Sequence, residues 1–426
     1  MDSNTFLVIA VIAIVAQSLL LFLALFEPGL NYKIEQPASC PPDSEEFMRI
    51  IEALTDAHVT HHSSIEVFPN GENYYEAELE ALRRAERNIN LEAYIFQKGK
   101  VADEFIKVLT ERARAGVQVN LVLDAIGSFA SWNSYFAELR AAGGRVCWYH
   151  PFKWYTLPRL NNRTHRELII IDGRVGFIGG AGFADHWRYP VKDHPRWRDT
   201  MFRVEGTAVA NLQATFAENW LEASGEILAH KDYFPDPEPH GQTPSLVVNS
   251  SPSAGRSTRA RILFQMLLAS ASESVLITTP YFLPDRSARA EMVRAIRERG
   301  VKMQIIVPGQ KSDHALTRNS SRRLYGDLLA AGAKIYEYQT TMIHAKTLVV
   351  DGMWSVVGST NFDNRSFGLN DEVNLAAFDA ALAARITEDF ERDRAESQAV
   401  SYEEWQRRSI FERIHELFGM LLERQQ

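Results

Sequence analysis

Cysteine is nearly absent, and two in 426 residues, Cys40 and Cys147, exclude a disulfide framework and a thiolate metal site. Cys147 lies in an apolar, strand-like run and reads as a buried thiol. An excess of positive charge is lacking too. The formal net charge is −8, so bulk charge gives no support to nucleic-acid binding. Long apolar runs are lacking except for one, Thr5 to Phe26, which carries no charge and only Gln17 and Ser18 as clearly polar side chains. About 20 such residues are enough to span a bilayer. The Met1-Asp-Ser-Asn start has no basic residue, and no small-x-small cleavage pattern follows, so an uncleaved anchor is expected rather than a signal peptide. Lys33 on one flank, against no basic residue on the other, is a weak pointer to a cytoplasmic body.

What is present is a duplication. Arg112-Ala-Arg-Ala-Gly116-Val-Gln-Val is answered by Ile296-Arg-Glu-Arg-Gly300-Val-Lys-Met, and Ala141-Ala-Gly143 by Ala330-Ala-Gly332. Within each copy, helical periodicities alternate with short apolar strands, which implies an α/β fold with part of its sheet parallel. The spacing predicts helices over 73–88, 101–115, 131–142, 260–269, 289–299 and 316–331, and strands over 89–96, 117–123, 145–149, 274–281, 301–307 and 334–338. The Pro-rich run 234–241 is the expected junction. The expected organisation is a transmembrane helix 5–26, a stalk 27–46, a first half 47–240, a second half 241–398 and an amphipathic helix 399–426. That last stripe packs on the body or on a membrane. His58, His61 and His62 read as a solvated loop or helix end rather than a metal site. The loop with Trp154, Tyr155 and Arg159 touches a membrane or packs as an ordinary loop.

The sharpest pattern is His344-Ala-Lys346-Thr-Leu-Val-Val-Asp351, followed by Gly358-Ser359-Thr360-Asn361. Strand alternation places His344 and Lys346 on one face. An imidazole beside an ammonium suits a phosphate: the ring attacks phosphorus or carries a proton, and the ammonium takes up developing charge. The first copy reads His165-Arg-Glu167-Leu-Ile-Ile-Ile-Asp172, then Gly179-Gly180-Ala181-Gly182.

In this double form the chain resembles the phospholipase D superfamily, and the run Thr360 to Glu372 is similar to bacterial cardiolipin synthases within it. The resemblance covers roughly residues 70 to 395. It implies two tandem phospholipase D-like α/β sandwich halves related by a pseudo-twofold axis, sharing one site. It also implies a phosphohistidine intermediate and no cofactor or metal. Carried over, His165 is the nucleophile and His344 the general acid/base, in an assignment the residues leave open. Lys346, Ser359 and Asn361 bind phosphate, Asp199 and Glu372 orient the histidines, and Asp172 and Asp351 brace the fold. The implied activity is phosphatidyl transfer between phosphatidylglycerol molecules at a bacterial inner membrane, with anionic phospholipid as partner. A lipid hydrolase, a nucleic-acid phosphodiesterase and a non-catalytic lipid-binding protein stay open, and the residues do not give the oligomeric state.

Two positions depart from the family pattern. Gly182 replaces the first-motif Asn, and Glu167 stands where the pattern has Lys, a change of two charge units beside an anionic substrate. Alternation sends Glu167 into the site and Arg166 away from it, so Arg166 is a poor compensating cation, and Arg163 is another candidate. On electrostatics alone, Glu167→Lys is expected to raise activity at least about tenfold, some 1.4 kcal/mol of barrier.

Overall fold

The computed structural model describes residues 2–26, 32–35, 40–153, 161–190, 195–252 and 258–408. In chain order its strands are β1 (Val59–Pro69), β2 (Asn88–Ala93), β3 (Gln118–Asp124), β4 (Arg145–Tyr149), β5 (Leu168–Ile171), β6 (Val175–Gly179) and β7 (Thr200–Gly206). Then follow β8 (Thr243–Ser250), β9 (Ser274–Thr278), β10 (Lys302–Pro308), β11 (Lys334–Tyr338), β12 (Thr347–Val350), β13 (Trp354–Gly358), β14 (Glu372–Phe378) and β15 (Ser397–Val400). All join one 15-stranded sheet, in the order β15-β11-β10-β9-β12-β13-β14-β8-β1-β7-β6-β5-β2-β3-β4.

Outward from the β8–β1 seam the two halves repeat the same order, and β15 extends the second. The expected halves are therefore fused edge to edge through antiparallel β1 and β8. Only β2-β3-β4 and β9-β10-β11 are parallel, joined by crossovers such as Lys100–Arg114 and Arg286–Arg299. The inner strands are buried on both faces: β2 buries Asn88, Asn90 and Glu92 on one face as well as Ile89, Leu91 and Ala93 on the other, whereas β4, at the end of the sheet, is half-buried. One apolar cluster crosses the seam: Ile170, Ile178 and Val204 share it with Leu276, Val349 and Leu375 beneath the helices Val209–Ser224 and Ala380–Ala395.

Asp172 and Asp351 both adopt the left-handed conformation, at φ 54° and 52°. Each turns its carboxylate onto three backbone N–H groups. Asp172 accepts from Glu86, Arg87 and Asn88 at 2.7–2.9 Å, and Asp351 from Ser272, Glu273 and Ser274 at 2.8 Å. They tie the start of the first parallel strand of each half to the hairpin that pairs with it, at the sheet edge opposite His165 and His344.

Several expectations change. His61 and His62 lie in β1, not in a loop, and no cluster of three metal-ligating side chains occurs among the described residues. Strands β1, β8 and β15 carry too many polar residues to announce themselves by periodicity. The helix expected over 131–142 is a 3-10 turn, Asn133–Phe136, running into a short helix, Ala137–Ala141. That over 316–331 breaks at Leu324. Both cysteines are free, and Cys147 is half-buried. The apolar N-terminal run forms a helix, Ser3–Phe26, but its side chains from Leu20 onward lie outside the description. Among the described residues no helix is long and apolar enough to cross a membrane. The aromatic-basic loop around Trp154, parts of the stalk and the C-terminal stripe beyond residue 408 lie outside the described residues.

Candidate active site

The starts of β5 and β12 pair antiparallel with the ends of β2 and β9. His165 and His344, three residues before each start, therefore stand on the edge where the parallel strands end. Short backbone ladders then stitch each histidine segment to the opposite half. His165 N–H donates to Asp371 O at 2.9 Å, and Asp371 N–H returns to Arg163 O at 2.9 Å. In the other direction His344 N–H donates to Arg198 O at 2.6 Å, and Arg198 N–H to Met342 O at 2.8 Å. The residue after each ladder partner is an acid, and it meets the histidine brought to it.

The acids thus serve across the seam. Asp199 of the first half lies 2.8 Å from His344 Nδ1, and Glu372 of the second lies 3.2 Å from His165 Nδ1. A carboxylate only accepts, so in the neutral ring Nδ1 carries the proton and Nε2 the lone pair. Asp199 is fully buried and also receives Trp187 Nε1–H at 3.1 Å and Thr200 N–H at 2.8 Å. Burial pushes its carboxyl up, but the His344 hydrogen bond and charge outweigh this and hold it below the usual range. Burial, and then the neighbouring Lys346 ammonium, push the His344 imidazole down, so the ring is neutral at pH 7. Burial also lowers the Lys346 ammonium.

Lys346 Nζ donates to His344 O at 2.7 Å and lies 3.3 Å from Nε2. It reaches across the seam against Gly180: a Cβ there would sit 2.8 Å from the Lys346 Cδ and Nζ atoms, so this glycine makes room for the lysine. Glu167 does not cross. It folds back onto its own half, where Oε1 accepts from Tyr94 N–H at 3.1 Å and Ile95 N–H at 3.3 Å and Oε2 has no partner. Burial pushes its carboxyl well above the ordinary range, against weaker pulls from those N–H groups and Lys346. The departure from a lysine is therefore smaller than a fully charged carboxylate would make it. Gly182 fits the same arrangement, because a Cβ there would lie 2.5 Å from Ile95 O and 3.0 Å from Glu167 Oε1.

His165, His344, Glu167 and Asn361 line a common cavity of about 570 Å³. Arg166 is elsewhere, bonded to Thr215 O at 2.9 Å and Glu218 at 2.8 Å. The cations on the wall are Arg163 and Arg365. The Ser359 hydroxyl donates to Glu372 and accepts Val373 N–H at 3.1 Å, and Ser359 and Lys346 both stand behind the residues that line the cavity. Missed in the sequence were the indoles of Trp187 and Trp197 against the His344 ring, both with centroids 5.4 Å away. Asp363 was missed as well. It lines the cavity, and burial, reinforced by Glu372, pushes its carboxyl up to about 7. Asp363 and Arg365 lie inside the run 360–372 that carries the resemblance, which is the sequence signal for both.

The family described as "Cardiolipin synthase, PLD-like domain" matches residues 79–220 and 264–394. The major cardiolipin synthase ClsA of Bacillus subtilis (strain 168) is 34% identical over 383 residues, 89% of this chain and 79% of the relative. A cardiolipin synthase of Geobacillus kaustophilus (strain HTA426) is 34% identical over 93% of this chain and 80% of its own. Among solved structures, the phosphatidylserine synthase of Haemophilus influenzae Rd KW20 shares the fold with a TM-score of 0.68 at 14% identity, over 90% of this chain and all of the other.

Proposed function

Since the chain belongs to the cardiolipin synthase, PLD-like domain family, we propose that it transfers a phosphatidyl group from one phosphatidylglycerol to another, releasing glycerol. The observation that carries this reading is the exchanged pair of His–acid couples on one cavity. One ring attacks phosphorus, and the other protonates the leaving glycerol oxygen. It then takes the proton of the incoming hydroxyl, which displaces the first ring and forms cardiolipin.

We assign the attack to His344 and the acid–base role to His165, the reverse of the sequence expectation. The His344 imidazole is held below its usual range, and the Lys346 ammonium lies 3.1 Å from Nδ1 and 3.3 Å from Nε2, placed to move onto phosphoryl charge as Nε2 attacks. His165 is the more exposed ring, at 13%, as a group exchanging protons with entering and leaving alcohols should be. Arg163, Arg365 and Asn361 complete the anion-binding wall, with Asp199 and Glu372 as positioning residues.

The run Thr5–Phe26 is proposed as a single-pass anchor in a bacterial membrane, holding the cavity at its lipid substrate. The test is turnover in phosphatidylglycerol vesicles without added metal, followed by mass spectrometry. Cardiolipin plus glycerol is expected, with none from His344→Ala. Phosphatidic acid alone means a hydrolase. A phosphohistidine trapped at 165 instead of 344 reverses the assignment again.

A further inference from the structure

The cavity opens on the sheet edge where the parallel strands end, and this edge is unusual elsewhere in its surface. Outside the N-terminal helix, nine large apolar side chains are exposed among the described residues, and five of them sit on connections leaving this edge. Ile126, Phe129 and Trp132 follow β3, Phe152 follows β4 and Leu316 follows β10. Phe129 is 66% and Phe152 63% exposed. The β3 loop is bound to the cavity wall: Ser128 Oγ donates to Tyr94 O at 2.8 Å and accepts Phe96 N–H at 2.9 Å, and Tyr94 lines the cavity. Leu316 is itself on the wall. The exposed lysines Lys98, Lys100, Lys153 and Lys311 leave the same edge, after β2, β4 and β10.

A separate observation says what covers this face. Tyr32, six residues after the N-terminal helix ends, is docked there. Its N–H donates to Ser287 Oγ at 3.1 Å and its hydroxyl to Asp285 at 3.0 Å, at the start of the helix Arg286–Arg299 that follows β9. Arg261 stacks on its ring at 5.2 Å. Six residue steps reach at most about 20 Å. The helix end therefore lies within about 20 Å of Tyr32, which is itself on the edge where the cavity opens.

We propose that this face is a bilayer-docking surface: the β3 loop, Phe152 and Leu316 enter the headgroup region of an anionic membrane, with the lysines on lipid phosphates and the cavity mouth against the lipid. This rests on the anchor reading above. Aromatic side chains with apolar bodies suit the interface, and exposed apolar patches rimmed by cations are the usual sign of such contact. Docking lets a headgroup reach the histidines without its acyl chains leaving the bilayer.

The test labels the full-length chain with an environment-sensitive fluorophore at a single cysteine, Cys40 and Cys147 being replaced by serine. Phe129→Cys and, as a second probe, Phe152→Cys report the face. Arg174→Cys, in the β5–β6 turn at the opposite edge, is the reference. In vesicles of equal parts phosphatidylglycerol and phosphatidylcholine, labels at 129 and 152 should shift to the blue and lose emission to lipids brominated near the headgroup, while that at 174 does neither. Labels at 129 and 152 that behave like 174, whether all wet or all quenched, overturn the proposal. Cardiolipin formation, measured in the same samples, is judged separately: turnover with wet labels rejects the docking alone, and lipid-buried labels without turnover reject the transferase alone.

Discussion

Replacing Glu167 by glutamine isolates the consequence of holding a carboxyl neutral inside the site. Glu167 is 4% exposed, and Oε1 takes two backbone N–H groups that a glutamine oxygen would also take. In the unfolded chain the carboxyl loses its proton near the ordinary value of about 4.3. The folded chain holds the proton to a higher pH, because burial raises the group. Between the two values the unfolded state binds fewer protons, so stability falls as pH rises, by about 1.4 kcal/mol per pH unit for one such group. Glutamine has no proton to lose and escapes the fall. The variant should match the wild type near pH 4 and gain stability relative to it as the pH rises above the ordinary carboxylate range. For a chain of this length, each kcal/mol is worth about 1 °C of Tm. Thermal unfolding of both proteins in detergent micelles at pH 4, 5, 6 and 7 reads the divergence, since every other titrating group is shared. Parallel curves would mean that Glu167 is ionised in the fold, and would restore the two-unit penalty expected from sequence.

The same geometry revises the outcome for Glu167→Lys. Adding one positive charge about 5 Å from a phosphodiester gains about 3 kcal/mol at an effective dielectric of 20. Stripping two buried N–H groups of their acceptor costs about 1–3 kcal/mol each, and Lys346 repels the newcomer. Turnover should therefore change by less than about threefold, and a tenfold rise refutes this balance. Asp199→Asn removes the negative charge that stabilises the protonated His344 ring and lets an amide N–H face Nδ1, which favours the wrong tautomer, so kcat should fall at least about a hundredfold with the fold intact by circular dichroism. Asp363 ionises through about pH 7 and then adds a negative charge to the cavity, so wild-type turnover should fall above neutrality and Asp363→Asn should flatten that limb. Asp351→Ala leaves three N–H groups without their acceptor and puts alanine at a positive φ. It should cost at least about 3 kcal/mol in denaturant unfolding, whereas asparagine, which tolerates that φ, should cost less.

The parallel strands and both histidine motifs were legible because they are dense in local signal, as in the run Leu168 to Ile171 buried on both faces. Strand β1 was not, because it pairs with β7 and β8 from distant parts of the chain and its polar residues follow no strict alternation. The exchange of acids across the seam was equally invisible. Asp199 and Glu372 were named as orienting groups, but which histidine each serves is decided by the ladders at Arg198 and Asp371. The hydrogen bond from Ser359 to Glu372 was invisible too, since a hydroxyl beside a phosphate motif suits a ligand and only the fold brings the acid to it. Glu167 was read with full charge because a sequence shows no burial.

The crossed couples bear on how far the two copies can drift apart. Lys346 answers Glu167 and Asn361 answers Gly182, so the two copies differ at these positions. The histidine recurs in both copies, each beside an acid supplied by the other, Asp199 or Glu372. Loss of Asp199 from the first copy would disarm the ring of the second, and loss of Glu372 the reverse, so neither half can become a spare. A duplication that began as two interchangeable pieces has become a single heritable unit, and cutting the gene at the junction should yield two inert fragments that regain activity only together.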